Sequence, residues 1–161
     1  YALKFGRMVD GWWFDGCYYP IAMYTHPDAP NFASFAGAAR AGNPESIVAF
    51  NPGVREVFID NVDYEDYTSG EVADFLPVAC LPSWHIRLGR AIHGAQFHIL
   101  TFMGQYWCQG PLRFPDELVI GYTHHVNSHE GVITWDVPHT ADGHIPDEFV
   151  RQLAVLRDAT R

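Results

Sequence analysis

Residues 31–53, NFASFAGAARAGNPESIVAFNPG, hold a helix, a stop and a strand in that order. Phe32, Phe35, Ala36 and Ala39 recur at helical spacing. Asp28 or Asn31 offers a cap ahead of them, and Gly42-Asn43-Pro44 ends the run. The segment that follows, SIVAFN, is a short continuous apolar run closed by Asn51-Pro52-Gly53. That pattern suits a strand covered on both faces, as strands of a parallel sheet are. Just upstream, VDGWWFDGCYY (residues 9–19) also begins as a buried strand, with Val9, Trp12, Trp13 and Phe14, and then turns at Asp15-Gly16. Asp-Gly is a common turn signal, so the simplest role for Asp15 is to cap that turn.

Strands and helices keep alternating downstream. AQFHILTFMG (residues 95–104) reads as a buried strand ending in glycine. Pro115 then opens a predicted helix with Asp116 and Glu117 in its first turn, where the helix dipole favours negative charge. Leu118, Tyr122 and Val126 form its expected apolar stripe, and Gly131 ends it. GVITWDVP is a strand closed by Pro138, and IPDEFVRQLAVLRDATR repeats the Pro-Asp-Glu opening with Phe149, Leu153 and Leu156 facing inward. Residues 55–94 read as loop-rich, with short elements.

This alternation argues for an α/β fold with a parallel sheet. Neither G-x-G-x-x-G nor G-x-x-x-x-G-K-[ST] is present, which disfavours a doubly wound nucleotide-binding fold and favours a (β/α)8 TIM-type barrel. A complete barrel needs about 250 residues, so a chain of 161 holds roughly five strand–helix units, the second half to five-eighths. Residues 1–161 are therefore expected to be the C-terminal part of a single catalytic barrel, with the N-terminal strands missing. A start at Tyr1, without a leader pattern, agrees with that expectation.

Composition narrows the partners. Hydrophobic residues make up 48% and charged residues 18%, which is enough for a packed core and too little charge for disorder. A net charge of -9 disfavours nucleic acid or an anionic membrane as a partner. No apolar run approaches the roughly 20 residues of a membrane helix. Cys17, Cys80 and Cys108 are too few and too scattered for a disulfide framework, and no C-x-x-C occurs. His125 and His129 are four apart on a predicted helix, but no Glu follows the first as H-E-x-x-H requires. They read as packing or surface residues, His98 reads as a hydrogen-bonded core residue, and neither metal nor cofactor is expected.

In a barrel, chemistry sits at the C-terminal ends of the strands. The residues expected there are Asp15, Asn51, the polar stretch holding Glu65 and Glu71, then Tyr106, Trp107 and Asp136. Asp15 and Glu71 are 56 positions apart, far enough for two strand–helix units and for the two acids to face one another across one mouth. Paired carboxylates among aromatic rings, without a cofactor loop, point to glycoside hydrolysis. Asn51 and Trp107 are expected to contact the substrate, with Trp107, like Trp135, reading either as a core residue or as a sugar platform. Cys17 lies close behind Asp15 with no base recognisable beside it, so a thiol nucleophile is not expected.

Three motifs in order also resemble one family. VDGWWFDG resembles the nucleophile strand of the α-L-fucosidases of glycoside hydrolase family 29. EDYTSGE resembles that family's acid/base segment, and GVITWDVPHTADGHIP is similar to its last strand and final-helix entry. The resemblance implies Asp15 as nucleophile, Glu71 as acid/base and Trp13 as an aromatic touching the sugar, with Glu65 as the rival acid/base. It implies a retaining mechanism that removes terminal α-L-fucose from oligosaccharides or glycoconjugates, in a secreted or periplasmic protein. Arg55 lies near a family arginine without aligning to it, and Asp136 stands where the family often has Asn. The family's sugar-gripping histidines belong to the first half of the barrel, so residues 1–161 alone are expected to be inactive. The alternatives are a barrel glycosidase for another sugar and a non-catalytic carbohydrate-binding relative, which would need the rings but not both acids.

Overall fold

The computed structural model describes residues 1–54, 62–78 and 94–161. Arg55 and Cys80, both weighed in the sequence, lie outside the described residues. In chain order the elements are α1 (Ala2–Phe5), a 3-10 turn (Gly6–Met8), β1 (Gly11–Phe14), α2 (Phe32–Arg40) and β2 (Ile47–Phe50). Then come β3 (His98–Phe102), α3 (Asp116–Ser128), β4 (Val132–Asp136) and α4 (Asp147–Ala159).

Local chemistry explains where the helices begin. Of the two possible caps for α2, Asn31 is the one used. Its side chain accepts from the Ser34 amide at 2.9 Å, while the Ser34 hydroxyl accepts from the Asn31 amide at 2.9 Å, a reciprocal capping box. The helices α3 and α4 both start after a proline, with Asp-Glu in the first turn. The buried stripe of α3 is Val119, Tyr122, Thr123 and Val126. Leu118, expected on that stripe, is 38% exposed, because the face turned to the sheet lies one residue further along.

Strands β1 and β2 run parallel, from Gly11 beside Ile47 to Phe14 beside Phe50, and β3 and β4 run parallel, from His98 beside Val132 to Phe102 beside Asp136. Segment 66–72 joins the two pairs. It meets β2 through the Asp66 amide on the Val48 carbonyl at 2.9 Å. It meets β3 through Gln96 N–H on the Asp66 carbonyl, Thr68 N–H on the Gln96 carbonyl, Leu100 N–H on the Gly70 carbonyl and Val72 N–H on the Leu100 carbonyl. The rung between these is made by a side chain. The Thr68 hydroxyl accepts from His98 N–H at 2.9 Å and donates to the His98 carbonyl at 2.8 Å. Segment 66–72 thus links two two-stranded parallel sheets into one open layer, and no closed barrel is completed among the described residues.

The helices cover one face of this sheet. Trp12, Phe14, Val48 and Phe50 pack with Phe32, Ala36 and Ala39 of α2. Val72, Phe97 and Ile99 pack with Tyr122 and Val126 of α3. Met103, Val119, Phe149 and Trp135 make a third cluster under α4. By strand alternation the other face carries Trp13 and Asp15, Ala49 and Asn51, Tyr67 and Glu71, His98 and Phe102, Thr134 and Asp136.

Candidate functional site

Phe14 and Phe50 are register partners turned towards α2. The next residue on each strand, Asp15 and Asn51, therefore points to the opposite face at the same level. Two backbone bonds lock this arrangement, Asn51 N–H to the Phe14 carbonyl at 2.7 Å and Cys17 N–H to the Asn51 carbonyl at 2.9 Å. Asp15 does cap its own turn, since its Oδ1 accepts from Gly16 N–H at 2.7 Å. The same oxygen accepts from Asn51 Nδ2 at 3.0 Å.

Glu71 arrives at this point through the backbone of segment 66–72. Gly70 has φ +67°, and a Cβ on it would lie 2.0 Å from the His98 carbonyl oxygen, so only glycine fits the bend. Past that bend Glu71 lies beside Leu100, and its Oε2 accepts from Asn51 Nδ2 at 2.6 Å. One amide nitrogen therefore holds both carboxylates. Two hydrogens diverging by about 120° from one planar nitrogen place their acceptors about 5 Å apart. Retaining glycosidases hold their two carboxyl groups about 5–5.5 Å apart.

Asn51 is 1% exposed, and its Oδ1 accepts from Gly53 N–H at 3.1 Å, which fixes the amide with its nitrogen towards the acids. Both amide hydrogens point at carboxylates. Glu65, the rival acid/base, sits elsewhere. It is 8% exposed, and its two oxygens accept from Phe50 N–H at 2.8 Å and Val62 N–H at 3.1 Å. Trp13 is half-buried on the inner face, where its indole N–H reaches the Ser69 carbonyl at 3.3 Å and ties β1 to segment 66–72.

Trp107 stands on a tight turn in which Tyr106 and Gln109 exchange backbone bonds. Its ring meets Phe102 edge-to-face at 4.9 Å between centroids. Asp136 pins this turn to the end of β4, because its carboxylate accepts from Cys108 N–H at 2.7 Å and from the Cys108 thiol at 3.3 Å. That bond to Asp136 is the main cause of a raised Cys108 pKa. Behind Asp15, Cys17 is buried, and burial first, then the charges of Glu65 and Asp15, keep its thiol protonated. His98 bonds the Thr68 carbonyl through Nδ1 at 2.9 Å and Thr134 Oγ1 through Nε2 at 2.8 Å, which makes Nδ1 the protonated nitrogen. Among the described residues no group of three or more His, Cys, Asp or Glu is placed to hold a metal ion.

The sequence brought Asp15, Asn51 and Glu71 to one mouth, and the structure places them in contact. Sequence reasoning missed the bridging role of Asn51 and the dependence of Glu71 on Gly70. The Thr68-Ser69-Gly70 run before Glu71 was the visible signal, since glycine before a functional residue marks a bulge that re-aims it.

The arrangement of parallel strands with helices on one face is one that other proteins share. No family model and no curated protein matches the chain. Solved structures do. It superposes on endo-fucoidan hydrolase MfFcnA4 of glycoside hydrolase family 107 with a TM-score of 0.76 and 20% identity, over 97% of this chain and 28% of that one. Endo-fucoidan hydrolase MfFcnA9 of the same family gives a TM-score of 0.76 and 20% identity, over 97% of this chain and 33% of that one. A third, P5AFcnA, also of family 107, gives 0.70 and 16%, over all of this chain and 53% of that one. At these identities the likeness is one of fold. The chain spans 28% to 53% of the length of these solved relatives, and their family number is 107 where the sequence motifs resemble family 29.

Proposed function

We propose that this chain is the C-terminal part of a (β/α)8 glycoside hydrolase that cleaves an α-L-fucosyl linkage with retention of configuration. The observation that carries the reading is the shared hydrogen-bond donor: Asn51 Nδ2 lies 3.0 Å from Asp15 Oδ1 and 2.6 Å from Glu71 Oε2. A carbohydrate-binding relative would need rings but would have no use for two acids at that spacing. The motifs that resemble family 29 suggest the sugar, and the names of the solved structures of like fold, fucoidan hydrolases, are consistent with it.

In this reading Asp15 attacks the anomeric carbon as the bond to the leaving oxygen breaks, and Glu71 gives that oxygen its proton. Glu71 then takes a proton from the incoming water, which attacks the same carbon and releases Asp15 from the ester. Trp13 and Trp107 offer apolar faces to a sugar whose C5 substituent is a methyl group. Asp136 serves this site indirectly, by holding the turn that carries Trp107. Glu65 takes no part in the chemistry, because both its oxygens accept backbone N–H bonds.

The test is hydrolysis of an aryl α-L-fucoside by the full-length protein, beside its Asp15→Ala and Glu71→Ala variants. Activity falling by orders of magnitude in both is expected, with azide rescuing Asp15→Ala and yielding a fucosyl azide of inverted configuration. Activity untouched by Asp15→Ala would refute the assignment. The motifs favour release of terminal fucose, whereas the names of the solved relatives favour cutting within a fucoidan chain. Product size from fucoidan separates the two: free fucose for the first, oligosaccharides for the second.

A further inference from the structure

The hydrogen bonds at the mouth distinguish the two oxygens of each acid, and this inference rests on the retaining reading just given. Asp15 Oδ1 already accepts from Gly16 N–H and Asn51 Nδ2. Glu71 Oε2 already accepts from Asn51 Nδ2. Among the described residues neither Asp15 Oδ2 nor Glu71 Oε1 accepts a hydrogen bond. A primary amide nitrogen donates and cannot accept, so it disfavours a proton on either oxygen it faces.

We propose that Asn51 is a positioning residue that assigns the chemistry to specific oxygens, with Asp15 Oδ2 attacking the anomeric carbon and Glu71 Oε1 carrying the transferred proton. In the first step the Oδ2–carbon bond forms, the carbon–leaving-oxygen bond breaks, and the Oε1 proton passes to the leaving oxygen. In the second, water gives its proton to Oε1, its oxygen bonds the carbon, and the ester bond to Oδ2 breaks. Asn51 keeps both its bonds throughout and sets the separation of the acids. Its own position is fixed from three sides, by the Phe14 carbonyl, the Cys17 amide and the Gly53 amide. Buried, with both hydrogens engaged, it has no donor to offer a sugar. The expected substrate contact at this position is thereby replaced by a contact with the acids.

The experiment takes Asn51→Ala and Asn51→Asp in the full-length protein, with kcat and KM on an aryl α-L-fucoside followed across pH. Loss of one preorganised donor lowers kcat on the order of a hundredfold in Asn51→Ala, with KM nearly unchanged. Asn51→Asp is isosteric and keeps the acceptor for Gly53, so it carries the test if the alanine variant does not fold. It crowds three carboxyl groups together, is the slower variant at neutral pH, and recovers activity on acidification as one of the three takes a proton and restores a donor. A kcat unchanged in both variants, or a KM that rises while kcat holds, overturns the positioning role. A crystal structure of the adduct with a 2-deoxy-2-fluoro-fucosyl fluoride reads the oxygen directly: an ester through Oδ2 is expected, and one through Oδ1 overturns the assignment. If the parent protein hydrolyses no aryl glycoside and forms no adduct, the catalytic reading fails. The clamp is then judged by melting temperatures of Asp15→Ala, Asn51→Ala and the double variant. Additive losses would overturn it, and a double loss smaller than the sum would uphold it.

Discussion

Glu65 and Glu71 are six residues apart in a stretch that looks uniformly polar, yet they meet opposite surroundings. Glu65 lies along the edge of β2 away from β1 and binds the backbone N–H groups of Phe50 and Val62, so its charge serves the fold. Glu71 is half-buried and shares an amide with Asp15. Replacing Glu65 by Gln turns an NH2 towards one of those N–H groups and costs about 1–3 kcal/mol for the unsatisfied donor. Thermal denaturation should therefore show a lowered melting temperature for Glu65→Gln. Glu71→Gln should melt close to the parent and lose activity instead, and an assay of both variants by both methods checks the contrast. Gly70 makes the same point from the backbone side. In Gly70→Ala the new methyl must displace the His98 carbonyl, at an unfavourable φ, costing roughly 1–3 kcal/mol. Because that movement drags Glu71 with it, activity should fall further than the melting temperature alone explains, which is checked by assaying well below the transition.

Among the elements, α2, α3 and α4 were legible in the sequence, whereas α1 and segment 66–72 were not. The start of α2 was written in Asn31 and Ser34, and the starts of α3 and α4 in Pro-Asp-Glu, because caps act over three or four residues and need nothing distant. Strands β1 and β2 were legible as apolar runs. Segment 66–72 joins the two strand pairs, but it takes one rung from the Thr68 hydroxyl, bends at Gly70 and is mostly polar, so no apolar run marks it as a strand. The bridge through Asn51 was illegible for a related reason, since it depends on register between β1 and β2 and on that bend together. His98 anchors the same segment and gives it a pH dependence. Burial lowers its pKa in the folded chain, although the hydrogen bond to the Thr68 carbonyl opposes this. The unfolded chain therefore takes up the proton first, below about pH 6.5. Stability from this site is complete above that pH and is lost as pH falls towards the folded value. Melting temperatures between about pH 7 and pH 5 should decline in the parent, with the share due to this site absent in His98→Gln.

At the scale of the whole molecule, parallel strands, helices on one face and an acid pair at the C-terminal edge converge on one mouth. The solved structures of like fold match 97% of this chain, which covers 28% to 33% of their length. In the proposed mechanism Asp15 becomes covalently attached to the sugar, and trapping that ester tests it. The full-length protein is incubated with a 2-deoxy-2-fluoro-fucosyl fluoride, digested, and its peptides are mapped by mass spectrometry. A single fluorofucosyl adduct is expected on the peptide bearing Asp15, absent from Asp15→Asn. An adduct on the peptide bearing Glu65 or Glu71, or one that persists in Asp15→Asn, would contradict it.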